Sequence, residues 1–405
     1  MIAPMRTQVT AAWLWDGQNL IPDPLVDIED GRVDSIASRA NTPLSSDSRH
    51  LDYPGATIAP SFFDVHIHGA AGHDVMEATP EALTTIGRFL ASRGTGRFLA
   101  TTVTAPVDAT LRSLSGLAKL LNQPPSTPKA AQPIGIHLEG PFLSHLKRGV
   151  HPPTLLQAPD IALFDRFYDA AEGHIRLLTL APELPGAAEF AAHAVRRGVR
   201  ISVGHSNATA AETRAVLDAG ATSATHTYNA MRPLDHREPG ILGTILADDH
   251  TYAEIICDGI HVAPELVNLW FRAKGSHRAI LVTDAMSATG MPEGQYQLGP
   301  LTVQVANGRA TANGVLAGSV LTLDRALANF LRFTGSSLEH GLRLLTTNPA
   351  AMIGLSGLPD SASSTRPAGL PAPVGHLAPG IPANFVAVNP DGTLAASFLH
   401  GQPIS

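Results

Sequence analysis

The sequence predicts an α/β protein: a (β/α)8 TIM-like barrel with a small β-sandwich domain formed by the N- and C-terminal segments. Three observations predict it. From about residue 58, short apolar runs alternate with stretches of helical length, the pattern of parallel strands joined by crossover helices. Eight such runs occur before residue 285. Six of them end at or next to a histidine or an acid: His66 with His68, Glu139, His205, His226, His261 and Asp284. The C-terminal ends of barrel strands share one mouth, so side chains placed there converge.

The elements follow in order. Residues 7–58 alternate apolar runs with turns, such as Thr10 to Trp15, Asp16-Gly17, Leu25 to Ile28 and Asp30-Gly31. Asp-Gly between short strands marks a hairpin. Barrel strands are expected near 58–66, 97–104, 134–139, 176–181, 199–205, 222–227, 252–257 and 279–284. Helices are expected at Pro80 to Ser92, Ala187 to Arg197, Ala208 to Ala219 and Ala263 to Ala273. Past the eighth strand, Tyr296 to Leu316 reads as hairpins turning at Asn307-Gly308 and Asn313-Gly314. Helices are then expected over Val320 to Phe333 and Ser337 to Thr346. Residues 359–376 are rich in Ser, Pro, Ala and Gly and read as a surface loop. Strands near 384–388 and 396–399 are expected to pair with the N-terminal ones. The division expected is residues 1–58 and 350–405 for the small domain and 59–349 for the barrel.

Composition narrows the function classes. The chain has 405 residues, 44% hydrophobic and 16% charged, which suits a globular protein with a large core. The net charge of -7 comes with no basic run, which argues against nucleic acid as a partner. No apolar stretch approaches a membrane span. The N-terminus lacks a signal-peptide pattern, and the lone Cys257 excludes an internal disulfide. Both lead to the expectation of a cytoplasmic protein.

The strand-end residues carry the chemistry. His137 and Glu139 share a face because strand side chains alternate, and Gly140-Pro141 ends that strand. Glu139 reads either as a metal ligand or as a strand-end acid paired with an arginine. His205 and His226 fall on neighbouring strands, and with Glu139 they make the three protein ligands of a catalytic zinc-type site. His66 and His68 also share a face and can reach one ion, with Glu139 lying between two. Asp284 is placed as a general base towards a metal-bound water, as a ligand, or as both. His151 and His261 sit in loops at the same mouth, where substrate binds. Arg237 either holds a phosphate or carboxylate through its forked donors or pairs with Glu238 at the surface. A divalent metal, one or two per chain, is expected. Zinc fits the donors best, and iron, manganese and cobalt also suit them.

The motifs together resemble the N-acetylglucosamine-6-phosphate deacetylases of the amidohydrolase superfamily, from about Pro60 to Ala350. The resemblance rests on Phe63-Asp64-Val65-His66-Ile67-His68-Gly69, His137-Leu138-Glu139-Gly140-Pro141-Phe142 and Gly149-Val150-His151. It continues through Val203-Gly204-His205-Ser206-Asn207, Thr225-His226-Thr227-Tyr228-Asn229-Ala230-Met231 and Arg237-Glu238-Pro239-Gly240. Its last motifs are Asp258-Gly259-Ile260-His261-Val262, Val282-Thr283-Asp284-Ala285 and Leu316-Ala317-Gly318-Ser319. It implies Glu139, His205 and His226 as principal metal ligands and Asp284 as catalytic acid/base. It also implies that His151 polarises the acetyl carbonyl. Val150, Asn229, Ala230, Arg237, His261, Leu316, Ala317 and Gly318 are implied as substrate contacts. Some members lack His-x-His on the first strand, and its presence here favours two ions. A homodimer acting on a small sugar phosphate is implied, one of whose phosphate contacts can cross from the partner. The rival expectations are the galacto epimer as substrate, another amidohydrolase activity, and a non-catalytic barrel scaffold.

Overall fold

The structure is a computed structural model and describes residues 6–123, 127–356 and 373–404. Eight parallel strands make the barrel: Phe62–Ile67, Thr95–Thr102, Gln132–Glu139, Ile175–Leu180, Arg200–Val203, Ser223–Ala224, Tyr252–Ile256 and Ala279–Val282. They pair in chain order from first to eighth. The ring closes where the Asp284 N–H donates to the His66 carbonyl at 2.9 Å and Ile67 bridges Ala285. Asp64 clamps that seam, accepting from the Thr283 hydroxyl at 2.6 Å and from the His66 N–H at 3.2 Å. Complete burial pushes its carboxyl up to about 7, although these hydrogen bonds act the other way.

Strands of such a barrel are covered on both faces, which explains their continuous apolar runs; Ala279-Ile280-Leu281-Val282 is buried throughout. The covering helices start at sequence-legible caps. Thr79 accepts from the Ala82 N–H ahead of Pro80–Ser92, and Thr209 forms a capping box with Glu212 ahead of Ala210–Asp218. Helices Ala187–Arg196, Leu323–Thr334 and Leu338–Leu345 lie near the expected bounds. The helix expected at Ala263 to Ala273 runs on as Pro264–Arg278, broken at Gly275 with φ 64°.

Two strands differ from expectation. Residues 58–60 belong to the strand Arg49–Pro60 of the terminal sheet, and the barrel strand begins only at Phe62. One apolar run thus serves two sheets, divided at Ser61. The sixth strand shrinks to Ser223–Ala224, because His226, Tyr228 and Ala230 all take positive φ and leave the extended conformation.

The terminal sheet runs in the order Gln402–Ile404, Leu394–Leu399, Phe385–Val388, Arg49–Pro60, Arg6–Trp15, Pro24–Glu29, Arg32–Ser38. Leu20–Pro22 pairs beside Arg6–Trp15. The sheet curls until Val33 donates to the Ile381 carbonyl and Ala383 to that of Gly31, both at 2.9 Å. It encloses Val9, Leu14, Val26, Ile28, Phe385 and Phe398. A third, antiparallel sheet from Gly294 to Leu316 has its own core of Val103, Met286, Leu298 and Val303 and leans over the barrel mouth. Of the expected surface loop, 359–372 lies outside the described residues, and 373–376 forms no helix or strand. Among the described residues no helix is long and apolar enough to cross a membrane.

Candidate metal centre

The strand ends meet at the barrel mouth in a cavity of about 360 Å³. Its lining includes His68, Glu139, Val150, His151, His205, His226, Asn229, Ala230, His261, Asp284, Leu316 and Gly318. The backbone turns sharply to aim these side chains inward. His205, His226 and Asp284 have φ of 46°, 28° and 50°, a left-handed conformation that costs non-glycine residues about 1–2 kcal/mol each. Gly140, at φ 84°, lets the chain leave Glu139, since a Cβ there would sit 2.0 Å from Thr104 Oγ1.

Glu139 is the hub. Its Oε1 lies 3.2 Å from His205 Nε2 and 3.2 Å from His226 Nε2. Those two nitrogens are 3.0 Å apart. A tetrahedral ion with bonds of ~2.0–2.2 Å spans donor pairs about 3.3 Å apart, so this triangle fits one zinc-type ion. A second group adjoins it. His68 Nε2 is 3.2 Å from Glu139 Oε2 and 3.0 Å from Asp284 Oδ1. His66 Nε2 is 3.4 Å from Glu139 Oε1 and 3.5 Å from Asp284 Oδ1. Two sets of donors lie close enough to hold a metal, His66 with His68 and Glu139, and Glu139 with His151 and His205, so Glu139 is common to both. His151 also reaches this space, but its Nε2 stands farther off, 3.7 Å from Glu139 Oε2, and its ring is engaged by Thr104.

The opposite nitrogens fix the rings. His68 Nδ1 meets the Thr101 carbonyl at 3.0 Å, and His205 Nδ1 the Lys147 carbonyl at 3.1 Å. Each pairing puts the ring proton on Nδ1 and frees Nε2 as a ligand. His151 is the reverse case. Its Nδ1 accepts from the Thr104 N–H at 3.4 Å, so the proton of the neutral ring sits on Nε2 and faces the cavity. Burial, then the neighbouring His205, push His151 down to about 3, which keeps it neutral.

Charge within the cluster is shared. Burial alone would lower His66 and His68, yet Glu139 and Asp284 outweigh it and lift His66 well above its usual range and His68 to about 9. Burial alone would raise the two carboxyls. His66 foremost, with His205 and His226 at Glu139 and His68 at Asp284, holds both well below the ordinary range. The site is therefore organised around positive charge, which protons supply in the metal-free protein.

The other expected residues are placed as follows. Ala317 is buried behind the lining pair Leu316 and Gly318. His261 lines the cavity, with its Nδ1 fixed by Asp258 Oδ2 at 2.7 Å. Arg237 is exposed on the loop beyond and does not line the cavity. Its expected surface pairing with Glu238 does not form, because Glu238 Oε1 accepts from the Ala210 and Gly240 N–H groups. Sequence reasoning missed Glu254, fully buried and 3.2 Å from His66 Nδ1, and Thr104, the anchor of His151. An acid inside the apolar run Ala253-Glu254-Ile255-Ile256 was the available signal for the first; a strand-end threonine gives none.

The fold and the metal-ready mouth define a class. The sequence profile of the amidohydrolase family matches residues 57–358, and the chain belongs to that family. Narrower relatives follow. An N-acetylgalactosamine-6-phosphate deacetylase of Escherichia coli O157:H7 is 35% identical over 98% of this chain and 97% of its own. An N-acetylglucosamine-6-phosphate deacetylase of Lysinibacillus sphaericus is 36% identical over 81% of this chain and 84% of its own. Among solved structures, a Mycobacterium smegmatis N-acetyl-D-glucosamine-6-phosphate deacetylase variant, in complex with N-acetyl-D-glucosamine-6-phosphate, superposes with a TM-score of 0.88. It is 34% identical and covers 99% of both chains.

Proposed function

We propose that the chain hydrolyses N-acetyl-D-glucosamine 6-phosphate to D-glucosamine 6-phosphate and acetate, a step of amino-sugar breakdown. The observation that carries this reading is that Asp284 and His151 face the same cavity as the Glu139–His205–His226 triangle. In it, Glu139, His205 and His226 hold one divalent ion, and His66, His68, Glu139 and Asp284 hold a second. The donors suit zinc, and also iron, manganese or cobalt. A bound ion lowers the pKa of its water and draws electrons from the acetyl carbonyl.

The chain's own groups do the rest. Asp284, held as a carboxylate, accepts a proton from the attacking water and returns it to the amine nitrogen, which would otherwise leave as a poor anion. The Nε2–H of His151 donates to the carbonyl oxygen as negative charge builds on it. Asn229, the Ala230 main chain, Val150 and the Leu316-Ala317-Gly318 turn surround the sugar. His261, fixed by Asp258, and Arg237 on its exposed loop hold the phosphate. The working form in this reading is a cytoplasmic homodimer.

A second reading has its own support: the relative matched over 98% of this chain acts on the galacto sugar. The two substrates differ only at C4, so one experiment separates them. Acetate release is compared for N-acetylglucosamine 6-phosphate, N-acetylgalactosamine 6-phosphate and unphosphorylated N-acetylglucosamine. The highest kcat/KM is expected for the phosphorylated gluco sugar. A galacto preference moves the substrate to the epimer, and equal rates with and without phosphate refute the phosphate grip.

A further inference from the structure

We infer that Glu254 is the positioning residue for His66, and that its carboxylate decides whether the ion shared by His66, His68, Glu139 and Asp284 is held. The inference rests on the two-ion reading above. Glu254 sits in the seventh barrel strand, Tyr252–Ile256, between Ala253 and Ile255, and all three are 0% exposed. A carboxylate so deep in a barrel costs several kcal/mol unless a partner compensates it. The one ion-pair partner it has among the described residues is His66, with Oε2 3.2 Å from Nδ1. The same oxygen takes the His226 N–H at 3.4 Å, and Oε1 has no hydrogen-bond partner.

An imidazole that gives its Nδ1 proton to a carboxylate presents a bare lone pair at Nε2. In His66, Nε2 points into the gap between Glu139 Oε1, at 3.4 Å, and Asp284 Oδ1, at 3.5 Å, where an ion would take the place of a ring proton. The other ligand rings are oriented differently. His68 and His205 lean on the main-chain carbonyls of Thr101 and Lys147, neutral acceptors supplied by the barrel backbone. His226 Nδ1 has no hydrogen-bond partner among the described residues. Of these imidazoles His66 alone is backed by a full negative charge, and that charge raises the ring's basicity as a ligand. Glu254 meets His226 only at its main-chain N–H and meets the ring of His66 itself, so it acts chiefly on the ion at His66.

The test counts ions and needs no substrate. Wild-type, Glu254→Gln and Glu254→Leu proteins are stripped with chelator and titrated with zinc against a competing indicator. Ions per chain are read by plasma emission. Wild type is expected to take two. Loss of an outer partner to a metal-bound histidine weakens binding roughly 10–100-fold, so Glu254→Leu should hold one ion tightly and the second that much more weakly. Glu254→Gln keeps an acceptor oxygen without the charge and should fall between them. The first ion should bind as in wild type in both variants. Adding Glu254→Gln to His66→Asn should change nothing further. Should Glu254→Leu not fold, the Gln variant, nearly isosteric with Glu, carries the comparison. Two ions bound with wild-type affinity in the variants would overturn the inference, as would equal weakening of both ions, which marks a merely structural role. A wild-type protein with a single site would overturn the two-ion reading, and this inference with it.

Discussion

Replacing Asp284 with Asn tests the proton relay most sharply. Asn keeps the shape and an oxygen able to accept from His68, whose Nε2 lies 3.0 Å from Oδ1. It does not take up a proton at neutral pH. The Asp284 carboxylate can do so. A single general acid or base contributes roughly 10²–10⁴-fold. In the proposed relay Asp284 acts twice per turnover, first on the water and then on the amine, so kcat should fall by on the order of 10⁴, about 5.4 kcal/mol at 1.36 kcal/mol per decade. KM should change little, because sugar and phosphate contacts lie elsewhere. The ion at Glu139, His205 and His226 should remain, since Asp284 is outside that triangle. Acetate release at saturating substrate measures the effect, with metal content determined on the same sample. A kcat within about tenfold of wild type, with the ion still bound, would remove Asp284 from the relay.

Three other outcomes follow from particular contacts. Arg237→Ala should raise KM for the phosphorylated sugar by on the order of 10–100-fold, the loss of charge-assisted hydrogen bonds, and leave the unphosphorylated sugar unaffected; equal losses for both would refute its phosphate role. Gly140→Ala should lower the melting temperature and the activity together. Its Cβ would press on Thr104 Oγ1, the His151 anchor, from a φ of 84° that itself costs Ala about 1–2 kcal/mol. An unchanged melt and rate would show that the turn adapts. Cys257 is fully buried, and burial with the adjacent Asp258 pushes its thiol up. The native protein should therefore resist a thiol reagent at pH 8 and react on unfolding, whereas rapid native labelling would contradict that burial.

The barrel was legible because its strands are buried on both faces, which leaves runs such as Ile280-Leu281-Val282 punctuated by a polar strand end. The convergence of His66, His68, Glu139, His205, His226 and Asp284 at the mouth was legible too, because the C-terminal ends of barrel strands share one face. Boundaries were harder. In Thr57 to Val65 only Pro60, a residue that interrupts strand pairing, marks the crossing at Ser61 from the terminal sheet into the barrel. The shortening of the sixth strand goes with the positive φ of His226, a left-handed conformation that no residue type there announces. The outer partners were least legible. Thr101 and Lys147 orient their histidines through carbonyls that every residue has, so side-chain identity carries no signal. Glu254 did carry one, since a lone acid in a barrel strand requires a partner.

The central claim is metal-dependent deacetylation at the Glu139–His205–His226 mouth, and chelation tests it directly. Acetate release from N-acetylglucosamine 6-phosphate is followed with the protein as purified, after removal of metal, and after return of zinc, manganese, cobalt or iron. The account predicts release that disappears with the metal and returns with at least one of these ions. Release that survives complete removal of metal, or no release from the fully loaded protein, would contradict it.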